Sequence, residues 1–169
     1  MIPLNRPLYF LLFFICHELI VAAYYFEYYM GLMPCPLCMV SRYWVISLGV
    51  IFLIAAIHKP DGWIQKGYHV LISLIAGLGI ATSAHHVYLQ SLPASEVPSC
   101  GPGLEHMLQT LPFTEVLSNL IQGSGECAEV AWSLFGLSMP AWLLIFYICM
   151  LVVGLMPFFT KDRQYRFSN

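Results

Sequence analysis

Hydrophobic residues along this chain fall into four long runs that are separated by shorter, more polar segments. Each run reaches the ~20 residues that an α-helix, rising ~1.5 Å per residue, needs to cross a hydrocarbon core of ~30 Å. Because a backbone in lipid must satisfy its own hydrogen bonds, the runs are predicted to be helices rather than strands. The predicted spans cover about 8–30, 38–57, 68–89 and 137–159.

The composition agrees with a membrane protein and excludes an ordinary water-soluble one. Of the 169 residues, 59% are hydrophobic and 9% are charged, and the mean hydropathy is +0.74. We therefore predict an all-α membrane protein, a four-transmembrane-helix bundle in which residues 1–169 form a single integral membrane domain. No basic patch suggests a nucleic-acid partner. A cleaved signal peptide is the alternative for the first run, but that run continues into the interfacial stretch "YYFEYYM".

The distribution of basic residues predicts the orientation. Six of the seven Lys and Arg residues lie in the N-terminal flank, in segment 58–67 and in the C-terminal tail, whereas segment 90–136 has five Glu and no Lys or Arg. By the positive-inside rule, both termini are predicted to be cytoplasmic, and segments 31–37 and 90–136 to be loops on the other side of the membrane. Arg42, near the outer end of the second span, is the exception.

Four of the six cysteines fall on the predicted outer side, which is the oxidising side if the membrane is a bacterial inner one. Cys35 and Cys38 begin the second span, and Cys100 and Cys127 lie in the long outer loop. Four cysteines allow three pairings; proximity in sequence favours Cys35–Cys38 and Cys100–Cys127 without deciding the matter. The two remaining cysteines are expected to be small apolar packing residues within the spans, and these are Cys16 and Cys149.

Three kinds of site compete for the outer cysteines: a zinc site, two structural disulfides and a redox relay. Zinc usually requires a second closely spaced pair or added His ligands, so no metal is predicted. Pro36 suits the first position of a helix and places Cys38 in its first turn, where free N–H groups favour a thiolate. Arg42, four residues further on, shares that face and can stabilise an anion. These features favour the relay, although Arg42 could instead extend toward the outer headgroups.

The long outer loop is predicted to hold its cysteines on flexible segments. "PSCGPG" places Cys100 in a turn and "QGSGEC" gives Cys127 a flexible approach. Mobile cysteines suit exchange through a mixed disulfide. Between them, "PFTEVLSNLIQG" (112–123) predicts a short amphipathic helix on the outer leaflet.

Several other polar residues fall in or near the spans. Glu18, near the middle of the first span, is expected to face the bundle interior and pair with a polar group. Glu27 is interpreted as part of an interfacial aromatic belt. His85 and His86 lie near the outer end of the third span, at a depth comparable to Arg42 and Cys38.

With these features in place, the sequence resembles the DsbB family of bacterial disulfide bond formation proteins over nearly its whole length. The resemblance rests on the four spans, the placement of the four cysteines, and three local signatures, which are "PCPLCMVSR", "HVYLQSLP" and "GECAEVAWSLFGLSMPAW". A C-x-x-C motif alone would be a weak signal. The combination is specific.

The resemblance implies a thiol:quinone oxidoreductase of the bacterial inner membrane, in which segments 31–37 and 90–136 are periplasmic loops. Such a protein reoxidises a DsbA-like periplasmic protein and reduces ubiquinone or menaquinone. By position, Cys100 would be attacked by the partner, Cys127 would exchange with Cys35, and Cys38 would face the quinone. Arg42 and His86 would line the quinone site, with His85 as the competing histidine. Two alternatives from other classes are a small membrane transporter or channel with structural disulfides, and a non-enzymatic membrane anchor.

Overall fold

Four long α-helices form the body of the computed structural model, which describes residues 6–60, 62–93, 109, 112, 114–115 and 125–164. Between the third and the last long helix, the described residues also form a four-residue helix and a two-stranded hairpin. The elements are α1 (Arg6–Tyr28), α2 (Pro36–His58), α3 (Gly62–Ser91), α4 (Gly125–Ala128), β1 (Ser133–Leu134), β2 (Leu137–Ser138) and α5 (Met139–Gln164).

The predicted fold class, a four-helix membrane bundle, is confirmed. α1, α2, α3 and the first 20 residues of α5 are long and apolar enough to cross a membrane, with mean hydropathies between 1.6 and 2.3. α3 begins at Gly62, six residues before the predicted span. Of the predicted amphipathic helix, Thr114 and Glu115 are helical, Pro112 is not, and the rest lies outside the described residues.

The last span begins two residues after its approximate predicted start, because a hairpin precedes it. Leu137 and Ser138 form β2, which pairs antiparallel with β1, and α5 begins only at Met139. The two residues between the strands, Phe135 and Gly136, have φ of 53° and 79°. Two consecutive positive φ values make the tight turn that suits a two-residue hairpin. An apolar run cannot reveal such a reversal when one of its two turn residues is Phe.

The bundle core is formed where α1 packs on α2, α2 on α3, and α3 on α5. Tyr147 of α5 is fully buried at its centre. The Tyr147 hydroxyl donates a 2.7 Å hydrogen bond to the backbone carbonyl of Ser41 in α2. This contact connects α5 to the turn of α2 that carries Arg42.

Glu18 does not face the bundle, contrary to the prediction. α1 buries Tyr9, Leu12 and Cys16, a stripe with helical spacing. Glu18 follows Cys16 by two residues, so it lies ~200° around the helix, on the opposite face. Its side chain is 72% exposed, and its carboxylate lies 3.2 Å from Nδ1 of the neighbouring His17.

The two cysteines within the spans differ in their surroundings. Cys16 is buried in the core, as expected of a small apolar packing residue. Cys149 lies on the exposed face of α5, so it does not pack in the core.

Candidate functional site

Cys35 and Cys38 lie at the start of α2, where the local sequence fixes their geometry. Cys35 is the N-cap residue, with extended backbone angles, and Pro36 takes the first helical position. The backbone N–H of Cys38 donates to Cys35 Sγ over 3.4 Å. The two Sγ atoms are 3.1 Å apart, and both cysteines are free thiols. The first turn of α2 therefore holds two sulfurs in contact at the end of a helix.

Cys35 is buried and keeps its proton. Its exposed fraction is 6%, and its pKa is raised to about 12. The hydrogen bond with Cys127 lowers this pKa, but the hydrogen bond with Cys38 and the burial of the sulfur raise it by more. The thiol of Cys35 accordingly donates its hydrogen bond to the sulfur of Cys38.

Cys127 lies beside Cys35 although 92 positions separate them in the sequence. It belongs to α4, which packs against α2 and α3. The Cys127 sulfur lies within 4.8 Å of both Cys35 Sγ and a ring nitrogen of His86. Its exposed fraction is 0%. Of the segment "QGSGEC" that was predicted to be flexible, residues 125–127 belong to α4 and residues 122–124 lie outside the described residues. Leu37 and Leu89 pack in the same cluster and cover the sulfurs.

Cys100 lies outside the described residues, and so does the predicted pairing of Cys100 with Cys127. Of the four cysteines singled out from the sequence, the structure therefore brings together three: Cys35, Cys38 and Cys127.

The structure distinguishes the two neighbouring histidines. His86 is 3% exposed, and its Nε2 lies 3.7 Å from Cys35 Sγ. The ring of His85 instead stacks on Tyr88, with centroids 6.4 Å apart. His86 is thus the histidine that contacts the cysteine cluster.

Arg42 lies inside the bundle between α1 and α2, where it forms an ion pair with Glu27. Its Nη2 donates to the Ala23 carbonyl over 3.3 Å, and its guanidinium lies 5.3 Å from the centroid of the Tyr24 ring. The side chains of Arg42 and Glu27 are 15% and 22% exposed. Arg42 therefore does not extend toward the headgroups.

Glu27 is the site residue that sequence reasoning missed, because its aromatic neighbours suggested an interfacial belt. A signal for it was nonetheless present. α1 and α2 are joined by the short segment 29–35, so the end of α1 must lie beside the first turns of α2. An acid at the end of one helix and a base near the start of the next are thereby brought within reach.

Two adjoining cavities connect this cluster to the outside of the bundle. The first, of about 110 Å³, is lined by Cys35, Cys38, Arg42 and His86, among others. The second is an almost wholly apolar groove of about 380 Å³ between α1 and α5. The residues that line both are Ala23, Phe26, Trp132, Met139 and Leu143. An apolar ligand in the groove would thus reach the walls of the space that contains Cys38 and Arg42.

Comparison with known proteins identifies the family of the chain. The family model described as "Disulfide bond formation protein DsbB" matches residues 5–156. A disulfide bond formation protein B of Nitrosococcus oceani is 46% identical over 150 residues, covering 89% of each chain. The protein of the same name from Marinobacter nauticus is 42% identical over 161 residues, 95% of this chain and 94% of that one. A family match over most of the chain and relatives of this similarity show that the chain belongs to the DsbB family of disulfide bond formation proteins, which have a redox role.

Proposed function

We propose that this protein is a thiol:quinone oxidoreductase of the bacterial inner membrane, with both termini cytoplasmic. It would reoxidise a DsbA-like periplasmic dithiol protein and transfer the electrons to ubiquinone or menaquinone. One observation carries the proposal, which is the spatial order of three cysteines. Buried Cys127 lies beside Cys35, and Cys35 lies beside Cys38. Cys38 in turn lines a cavity that adjoins an apolar groove.

The proposed relay begins in the outer loop. The reduced partner attacks Cys100 of a Cys100–Cys127 disulfide and forms a mixed disulfide, which releases Cys127 as a thiolate. Cys127 then attacks Cys35 of the Cys35–Cys38 disulfide and releases Cys38 as a thiolate. The second thiol of the partner breaks the mixed disulfide at Cys100, and the partner leaves oxidised. Cys100 then displaces Cys35 from Cys127, which restores the loop disulfide and leaves Cys35 reduced.

The second half of the relay takes place at the start of α2. Cys35 and Cys38 lose two electrons and two protons as their disulfide forms again, and a quinone takes up both to become a quinol. The close approach of the two sulfurs supports this step, because the new bond joins atoms that are already 3.1 Å apart. The free N–H groups of the first helical turn stabilise the Cys38 thiolate.

The residues around the cavities fit a quinone. An isoprenoid chain and a ring are apolar, which suits the groove between α1 and α5, and the ring oxygens require hydrogen-bond donors. Arg42 supplies N–H groups where the groove meets the space beside Cys38, and the neighbouring His86 ring supplies a second polar contact. The quinone itself would be the two-electron acceptor, and it would reach the site from the lipid.

The alternative of a transporter or channel is not favoured by the described residues. A transporter or channel requires polar side chains that line a path through the bundle. Glu18 faces outward, and Arg42 is neutralised by Glu27. The groove near Arg42 is apolar instead.

The proposal is tested by mixing the purified protein anaerobically with a reduced DsbA-like partner and a quinone. Ring absorbance and cysteine oxidation are followed together, and one quinol should form for each partner disulfide. Cys38→Ser should abolish quinone reduction and still trap the partner as a mixed disulfide at Cys100. Cys149→Ser, which changes an exposed thiol far from the cluster in sequence, is the control and should behave as the wild type. Normal quinone reduction by Cys38→Ser would disprove the assigned role.

A further inference from the structure

Three buried ligand atoms, two sulfurs and one nitrogen, converge at the end of the bundle where α2 begins. The Sγ atoms of Cys35 and Cys127 and a ring nitrogen of His86 all lie within 4.8 Å of one another. The exposed fractions of the three residues are 6%, 0% and 3%. Thiolates and a neutral imidazole are the ligands that soft and borderline metal ions prefer.

We propose that the reduced form of this cluster binds one thiophilic metal ion, with Zn²⁺ as the reference ion, and that the bound ion blocks thiol exchange. The ligands are Cys35, His86 and Cys127. This site goes beyond the proposed electron relay, because it gives the same sulfurs a second, inhibitory ligand. It escaped the sequence-based argument on zinc because its ligands come from three separate segments.

The geometry is close to what the ion needs. With Zn–S of ~2.3 Å and Zn–N of ~2.0–2.1 Å, a sulfur and a nitrogen at a tetrahedral angle are ~3.5 Å apart. The distance between Cys35 Sγ and His86 Nε2 is 3.7 Å. Only a small shift of these two side chains would be required, and α4 already carries Cys127 to the same place.

Charge and burial favour the metal complex. Binding converts two thiols to thiolates and releases two protons, so that Zn²⁺ with two thiolates and one neutral imidazole carries no net charge. A neutral complex avoids the cost of placing an uncompensated charge in a buried site. Leu37 and Leu89 pack around the cluster and restrict access of water to it.

The site depends on redox state. Its two sulfurs serve as ligands only when both are reduced, because a sulfur in a disulfide cannot form a thiolate. The ion would therefore hold the protein in its reduced form. With its sulfur bound to the ion, Cys35 could not re-form the disulfide with Cys38, and the relay would stop until the ion dissociated.

The test uses the purified full-length protein in detergent, reduced anaerobically and then separated from the reductant. After equilibration with ZnCl₂ and desalting, the reduced protein should retain one zinc per chain and the oxidised protein essentially none. Cd²⁺ in place of Zn²⁺ should give the ultraviolet charge-transfer band of a Cd–thiolate bond. Zinc should also raise the melting temperature of the reduced wild type but not of the oxidised wild type.

Variants separate the ligands from the rest of the relay. Cys35→Ser, Cys127→Ser and His86→Ala should each weaken zinc binding at least about tenfold, because loss of even an indirect partner costs ~10–100-fold in affinity. Cys38→Ser should retain zinc, although the relay predicts that it cannot reduce quinone. Cys149→Ser is the matched thiol control and should bind like the wild type.

Three results would overturn the proposal: equal zinc in reduced and oxidised protein, unchanged binding by Cys35→Ser, or a retained ion without the Cd–thiolate band. The inhibitory part fails separately if zinc binds but does not slow turnover with partner and quinone. Because the binding measurements involve no quinone, they remain informative even if the proposed electron acceptor is wrong.

Discussion

Arg42 contacts three groups of α1 at once: the Glu27 carboxylate, the Ala23 carbonyl and the face of the Tyr24 ring. A guanidinium held in a mostly apolar bundle is costly unless its charge is compensated. Glu27 supplies that compensation and also restricts the direction of the guanidinium. Glu27 therefore keeps the guanidinium in a fixed position beside Cys38, from which it can contact an anionic sulfur or a quinone oxygen.

Glu27→Gln is expected to impair the use of quinone. The amide keeps the shape of the side chain but removes its charge, so Arg42 loses its ion pair and is held less firmly. We expect the KM for quinone to rise several-fold. The melting temperature should fall, because breaking a hydrogen bond to a charged group costs ~1–3 kcal/mol of stability. Trapping of the partner at Cys100 should be unchanged, since Cys100 belongs to the other half of the relay.

The control for that substitution is Glu18→Gln, which removes an acid from the exposed face of the same helix. It should leave the KM for quinone unchanged. If both variants raised the KM equally, the effect would come from the charge of α1 as a whole and not from the contact with Arg42.

Arg42→Ala is expected to weaken quinone use more than Glu27→Gln, because it removes the hydrogen-bond donor itself. The rate should require a much higher quinone concentration for saturation, measured by quinone absorbance with excess reduced partner. A rate that depends on quinone concentration as in the wild type would mean that Arg42 serves only the packing of α1 on α2.

The sequence was sufficient to identify most residues of the site, but not to predict which of them are in contact. Cys35, Cys38 and Arg42 could be placed from helix geometry alone, because they lie within two turns of one helix. Glu27 and Cys127 could not, because their positions depend on how α1 and α4 pack against α2. Turn-forming residues around Cys127 suggested mobility, yet α4 buries its sulfur beside Cys35.

Among the helices, the contact of α3 with α5 depends on a glycine. A Cβ added at Gly79 would lie 2.5 Å from ring atoms of Tyr147, whereas one added at Gly77 would meet nothing within 4 Å. Real Cβ atoms do not approach that closely, so Tyr147 would have to move. The Tyr147 hydroxyl would then lose its hydrogen bond to the backbone carbonyl of Ser41, the residue before Arg42.

Gly79→Ala is therefore expected to destabilise the protein by ~1–3 kcal/mol through overpacking, measured as a lower melting temperature in detergent. Gly77→Ala, two residues away on the same helix, should be neutral or stabilising by up to ~1 kcal/mol, because Ala favours a helix over Gly. Equal effects of the two variants would show that Tyr147 can move without cost.

The four long helices followed from hydropathy because a membrane permits few other structures. The hairpin of β1 and β2 did not, since its residues continue the apolar pattern of α5. Its turn depends on positive φ at Phe135, a conformation that the residue type does not indicate. The helices were thus predictable as elements, while the hairpin that borders the groove required the structure.

For the whole molecule, the orientation in the membrane remains a prediction from the basic residues, and two exposed positions can test it. Met33 is 90% exposed in the segment before Cys35, and Trp63 is 87% exposed at the start of α3, at the opposite end of the bundle. In a background with all native cysteines changed to Ser, Met33→Cys should react with a membrane-impermeant thiol reagent in intact spheroplasts. Trp63→Cys should react only after the membrane is permeabilised, because the loop before it carries Lys59 on the predicted cytoplasmic side. The reverse pattern would place the cysteine cluster in the reducing cytosol, where thiols are kept reduced, and the proposed relay to a periplasmic partner would be impossible.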